Sequence, residues 1–278
     1  PVSGIYLDYY LPKKVDSLML KIEILENDEV IRTYTSDKPK EFVSWPGGPS
    51  QEIILPYKEG HNRVHWDFRR ASIPAVDKVF VYGSYAGSRV APGDFKVRLS
   101  YGEVQKETQI TLLPNPNIEA TTADFDAQQK LLIQIDLVLR NIHSSVNHMR
   151  TVQSQLQFYI KTLKGKQTYA PLIKKAKAIE KKLVDWEINL IQPNQKTFQD
   201  VINFNNKLNA EWMYLKGFVD SEFPKVTQGS KDRFKDLLAK WKIHQNELTV
   251  LIENEFSAFE TLFKSLEVPA LLIPELID

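Results

Sequence analysis

The apolar residues of this chain recur at every second position up to Pro114 and at every third or fourth position from Thr121 onward. That change of period restricts the fold more than any other feature. A period of two places alternate side chains on opposite faces of a strand, whereas a period near 3.6 places them along one side of a helix. In the first stretch "LMLKIEIL" (18–25) alternates, Asn27-Asp28 makes a turn, and "EVIRTYT" (29–35) returns as a hairpin partner. "QEIILPY", "NRVHWDF", "KVFVYGSY", "DFKVRLSY" and "VQKETQITLL" follow, bounded by Gly, Pro or Asp. About seven short strands with no helical period between them predict an antiparallel β-sandwich of immunoglobulin or fibronectin type III kind over residues 1–115. Leu113-Pro114-Asn115-Pro116-Asn117 then ends the sheet, because proline cannot donate to a ladder.

The second stretch, 116–278, predicts an up-down α-helical bundle of four helices with a C-terminal tail. Thr121-Thr122-Ala123-Asp124 reads as a capping box. A seam follows through Leu132, Ile135, Leu139, Ile142, Val146, Met149, Gln153, Leu156, Ile160 and Leu163. Continuous, that helix runs about 40 residues, or roughly 60 Å. Further seams run from Pro171 to Leu190, around Lys207–Glu222, and over about Ser230–Leu266, with the first and last helices expected as a long antiparallel pair. The chain thus reads as a multidomain β + α protein.

Charge and composition exclude several function classes. Net charge is +1 and is balanced on both sides of Pro114, with 15 basic and 15 acidic residues in 1–115. A nucleic-acid partner is therefore not expected, since its binders carry a basic face strong enough to shift domain charge. With no cysteine there is no disulfide, thiolate metal site or cysteine nucleophile. The most apolar run, "VPALLIP" (268–274), is too short for the ~20 residues a bilayer span needs, so no membrane insertion is expected.

"EGHNRVHWDFRR" (59–70) has the inventory of a hydrolase site. On a strand, Val64, Trp66 and Phe68 face a core, which sends Arg63, His65, Asp67 and Arg69 outward together as a candidate docking face. The glycine-rich stretches "SWPGGPS" (44–50) and "YGSYAGSRVAPG" (82–93) match neither a P-loop nor a nucleophile elbow and read as loops. Trp45, Tyr57, Tyr82 and Tyr85 make a candidate sugar platform, flat rings being suited to pyranose faces. His143 and His148 lie about 140° apart on their helix, and no metal-ligand spacing occurs, so neither metal nor cofactor is expected. Asp136, Arg140, His143, Asn147 and Arg150 form one polar stripe, facing solvent or a groove against another domain. The lysines between Lys164 and Lys182 avoid the seam and read as a solvated face. No residue is assigned a catalytic role.

The ordered set "YLDYYLP" (6–12), "LPYKEGHNRVHWDFR" (55–69), "VAPGDFKVRLSYG" (90–102), "TTADFDAQQKLL" (121–132), "LNAEWMYLKGFV" (208–219) and "VPALLIP" resembles the C-terminal region of a bacterial protein family. Its members are large, exported chains with an N-terminal sortilin-like β-propeller of bacterial-neuraminidase-type (BNR) repeats, often labelled glycosyl hydrolases. The resemblance implies a propeller upstream of Pro1, with this chain an excised, non-catalytic module that packs on it. It also implies an exported location, periplasmic, cell-surface or extracellular; the candidate docking face and aromatic platform add a protein or glycan as a further expected partner. The Asp-box of such repeats, S-x-D-x-G-x-x-W, does not occur here, so any hydrolase residues of the parent would lie in the upstream part.

Overall fold

A computed structural model of the chain describes residues 4–37 and 42–269. It is a mixed β and α structure. Six strands come first: β1 (Ile5–Leu11), β2 (Leu20–Glu26), β3 (Glu29–Thr35), β4 (Gly60–Trp66), β5 (Gly93–Tyr101) and β6 (Val104–Leu112). They form a two-stranded sheet, β1-β4, and a four-stranded sheet in the order β3-β2-β5-β6, with every pairing antiparallel. The hairpin turn joining β2 to β3 is Asn27-Asp28, both at positive φ (49° and 64°), the conformation that matches the twist of a two-residue hairpin.

Both sheets contribute to one core. Tyr9 from β1 and Val64 and Trp66 from β4 meet Leu20, Ile22 and Ile24 from β2, Ile31 and Tyr34 from β3, and Phe95 and Val97 from β5. Trp66 sits at its centre with no exposed surface, edge-on to Phe68 and Phe95 at 5.3 Å each. Its indole N–H donates to the Arg69 carbonyl at 3.0 Å, so the ring is buried without orphaning its one donor.

Between β4 and β5 the chain makes no strand. Residues 68–90 form a strap whose two ends are pinned together. The Val90 N–H donates to the Phe68 carbonyl (2.9 Å) and the Arg70 N–H to the Ser88 carbonyl (3.0 Å). The strap enters through Phe68, held at a positive φ of 59°, and between its ends Phe68 and Val90, which stay in the strand core, its apolar side chains leave that core. Ile73, Val76, Val79, Val81 and Tyr85 instead join the core of the helices.

Those helices are α1 (Thr122–Thr162), α2 (Ala170–Leu190), a single turn α3 (Asp200–Asn203), α4 (Leu208–Val219), α5 (Gln228–Val250) and α6 (Ser257–Ser265). Helix α1 starts at the expected capping box, Thr121 and Asp124 each bonding the other's backbone N–H. Its 41 residues make a rod about 60 Å long. Pro171 lies in the first turn of α2, where a missing N–H costs nothing. A π-helical stretch, Leu251–Phe256, joins α5 to α6.

Several expectations change. "YLDYYL" is a strand that the period did not single out, because its tyrosines occupy both faces. "QEIILPY" pairs only through Ile54, and "KVFVYGSY" is irregular chain. In the latter, Val79, Phe80 and Val81 are buried in succession, covered on all sides rather than alternately. The first and last helices are not a long pair either: α1 packs mainly on α2 and α4, and touches α5 little. The end of "VPALLIP", beyond Pro269, and the C-terminal tail lie outside the described residues.

The pinned base of the strap admits no side chain at Gly87, where a Cβ would lie 2.1 Å from the Arg70 carbonyl oxygen. Gly87→Ala should lower unfolding free energy by roughly 1–3 kcal/mol or more, the range for forced overpacking. Gly93→Ala, with no atom within 4 Å of the added carbon, should change it by no more than about 0.5 kcal/mol. Urea unfolding of both variants checks this, and equal stabilities would show that the strap base yields.

A candidate functional site at the seam between strands and helices

The polar stripe of α1 faces the strap. Arg140 donates to the Ala71 carbonyl, Asn147 Nδ2 to Ala75 O at 2.8 Å, and Arg150 NH1 to Asp77 O at 2.9 Å. His143 lies between them with Nδ1 2.7 Å from Pro74 O. A carbonyl only accepts, so Nδ1 carries the proton, and burial with Nε2 unbonded among the described residues keeps the ring neutral. Spacings of three and four keep these side chains on one side of the helix, and the strap runs along that side. The stripe therefore supplies the hydrogen bonds that a neighbouring strand would otherwise give to the backbone of 71–77.

At the other end of the strap the ties are charged. Asp136 Oδ2 accepts from Ser88 N (3.0 Å) and Ser88 Oγ (2.6 Å). Lys216 of α4, 2% exposed, donates to Ala86 O at 2.8 Å and stands 3.9 Å from Asp136 and 3.8 Å from Asp220. Asp220, the residue that ends α4, accepts from Arg69 NH1 at 2.5 Å and from Arg89 N at 3.1 Å. Arg69 also donates to Gly87 O (2.8 Å). Burial pulls the Lys216 ammonium below the ordinary lysine pKa, and the facing Asp136 and Asp220 partly restore it. Two carboxylates, a lysine and an arginine thus interleave across the seam, supplied by α1 (Asp136), α4 (Lys216 and Asp220) and the strap (Arg69).

The four expected docking residues do not share a face. Arg63 lies on the outer side of the β1-β4 sheet, gripping Asp8 through Nε (2.7 Å) and NH2 (3.0 Å), with its guanidinium over Tyr6. Arg63 holds the Asp8 carboxyl below its usual range, with His61, 3.0 Å away, adding to the effect. His65 follows on the same side, packed against Tyr6. Asp67 follows the end of β4, with Oδ1 buried and unbonded among the described residues. Arg69 has turned into the seam. The left-handed conformation at Phe68 breaks the alternation that would have aligned it with Arg63 and His65.

Nor are the four aromatic residues brought together. Trp45 donates its indole N–H to Val79 O (2.9 Å) and lines a cavity of about 710 Å³ together with Gln51, Glu52, Asp77 and Arg140. Tyr57 bonds the Leu18 carbonyl and the Tyr101 hydroxyl, 3.0 Å each, within the strand half. Tyr82 stacks edge-on to Phe198, and Tyr85 is buried beside His143. Hydrogen bonding and packing, not a shared ligand, account for three of the four.

Lys216 and Asp220 were not anticipated, although Lys216 carries a signal. It lies four residues after Trp212 and three before Val219, on the apolar seam of its own helix. Asp136 similarly lies between Leu132 and Leu139. Opposite charges on two apolar seams mark a buried pair. Among the described residues, no group of three or more His, Asp or Glu side chains is placed to hold a metal ion, and no helix is long and apolar enough to cross a membrane. Comparison with protein-family models, curated proteins and solved structures finds no match.

Burial pushes the His143 pKa down to about 4, against about 6.5 for the unfolded chain. Its neutral form is the one that fits, so this contribution is complete above pH 6.5 and is lost as pH falls towards 4, amounting to about 3 kcal/mol. Over that window the wild-type chain should lose stability faster than His143→Gln. Parallel slopes in urea unfolding between pH 7 and pH 4 would contradict the neutral buried ring.

Proposed function

We propose that this chain is a non-catalytic structural and interaction module, the C-terminal region of an exported bacterial BNR-repeat β-propeller protein. Its strand half is then an immunoglobulin or fibronectin type III-like sandwich and its helical half an up-down bundle. The observation that carries the non-catalytic part is the use made of the ionisable residues. Arg69, Asp136, His143, Arg150, Lys216 and Asp220 each hold one part of the chain against another. A general acid or base needs a polar atom within reach of a substrate proton, and the polar atoms of these groups are engaged within the chain, Arg150 alone being about one-third exposed. The ordered sequence motifs support the family and, through it, the propeller and the exported location.

On this reading the propeller meets the outer face of the β1-β4 sheet. Arg63 and His65 stand there beside exposed Tyr6 and Tyr10, which are 55% and 72% exposed. Tyrosine and arginine are the residues that most often anchor protein interfaces. Supplying the upstream propeller in trans should slow hydrogen exchange at residues 5–11 and 60–66. Unchanged exchange there, with the two parts shown to associate, would move the contact elsewhere; failure to associate would remove the proposed partner.

A carbohydrate-binding accessory region is the second reading, favoured by one observation. Trp45 lines its cavity beside Gln51, Glu52, Asp77 and Arg140, an aromatic wall with polar groups within the same space. If that holds, the chain is retained on a polysaccharide affinity gel and Trp45→Ala abolishes retention, whereas Tyr57→Phe does not. Retention insensitive to Trp45→Ala would rule this cavity out.

A further inference from the structure

Between Asp136 and Glu180 the sequence holds eight basic residues and no carboxylate, in a chain whose net charge is only +1. Arg140 and Arg150 belong to the seam, and Lys175 is paired with Glu255 at 2.6 Å. The other five are Lys161, Lys164, Lys166, Lys174 and Lys177, and Lys181 continues the set along α2. All six are exposed, and none has a carboxylate within 4.0 Å among the described residues. Lys161 closes α1, Lys164 and Lys166 flank the turn at Gly165, and Lys174, Lys177 and Lys181 fall at spacings of three and four on one side of α2. Helix α6 packs on this end through Phe259, Leu262 and Phe263, and brings Glu260 and Lys264 near it without an ion pair to the six.

We propose that this end of the α1–α2 hairpin is a docking surface for an anionic bilayer, which it contacts without inserting. Three features favour a bilayer. Every cation is a lysine, a mobile point charge that answers to a diffuse field, where recognition of one phosphate group would favour the planar fork of arginine. The cluster occupies an end of the helical half, a shape that meets a plane. Phe158, 53% exposed, stands one helical turn before Lys161 on the same side, an apolar group placed to reach the headgroup boundary. The charge complementarity is local: the field of six ammonium groups, unpaired among the described residues, extends about one Debye length, ~10 Å at 0.1 M salt, and acts on a surface rather than at a distance.

The experiment is co-sedimentation of the chain with vesicles of phosphatidylcholine alone or of equimolar phosphatidylcholine and phosphatidylglycerol. Binding is expected to the second only, and to vanish near ~1 M salt, where screening shortens to about 3 Å. The triple variant Lys161→Gln, Lys164→Gln, Lys166→Gln should bind about a hundredfold more weakly, equivalent to about 1 kcal/mol for each lysine. Lys13→Gln, Lys106→Gln, Lys231→Gln removes the same charge from exposed sites elsewhere and should bind as the wild type does. Absence of binding, binding to the neutral vesicles, or equal weakening by both triple variants would overturn the proposal. So would retention on heparin, lost with the first triple, in a chain that ignores vesicles: the partner would then be a polyanion in solution.

Discussion

The structure depends on the hydrogen bonds that α1 makes to the strap between β4 and β5. A backbone segment running through a protein interior must find partners for its carbonyls, and without them each buried group costs about 1–3 kcal/mol. Residues 71–77 find theirs in the side chains of Arg140, His143, Asn147 and Arg150. The strap can then lie between sheet and helix with Val76, Val79 and Val81 turned into the helical core. Apolar burial supplies most of the attraction, but it is indifferent to sliding. A row of donors at helical spacing meeting a row of carbonyls is not, and it sets which residue of the strap lies beside which turn of α1.

The charged end of the seam acts in the same way at greater cost. Taking Asp136, Lys216 and Asp220 out of water carries a desolvation penalty of several kcal/mol per ion, and mutual attraction repays it only when the remaining hydrogen bonds are also made. Here they mostly are. Ser88 bonds Asp136 twice, Ala86 accepts from Lys216, and Arg69 and the Arg89 N–H both serve Asp220. Asp136 Oδ1 is the exception, with Lys216 at 3.9 Å as its nearest cation. Such a network adds little to stability over an apolar contact, but any displacement of α4 against the strap strands an ion in the interior. Its effect is to penalise the wrong docking geometry.

How much of this could be read from the residues differs by element. The direction of Trp66 follows from alternation in "NRVHWDF", and it holds because the strand is half-buried and its neighbours Asn62 and Val64 continue the pattern. Helix α1 was legible from its cap and from a seam kept over 30 residues and more. The strap was not. Its run Val79-Phe80-Val81 has strand composition, but it is covered on all sides and bonds the loop residues Trp45 and Gly47, while the strap just before it is bonded by helix side chains far away in sequence. Alternation also fails after Trp66, since nothing in "DFRR" announces that Phe68 adopts a left-handed conformation, and that one dihedral sends Arg69 to α4 instead of to the outer face with Arg63 and His65. The α1 stripe was visible as a face; what it faced was not, because a row of donors looks the same towards water as towards a buried backbone.

The near-zero net charge conceals a division of labour between the two signs. In the helical half five carboxylates hold elements together: Asp136 and Asp220 at the seam, Glu187 on Arg150, Glu211 on Arg233, and Glu255 between Lys175 and Lys182. Six exposed lysines cluster where α1 turns into α2, in and around a stretch, 137–179, with no carboxylate of its own. A field close to a surface is set by the nearest charges within a Debye length, so a chain with a net charge of +1 can present a strongly positive end. Balance summed over each half argues against a domain-wide polyanion groove, but it carries no information about an end that small. Among the described residues those lysines have no carboxylate within 4.0 Å, while the carboxylates of the seam are committed to the strap and α4.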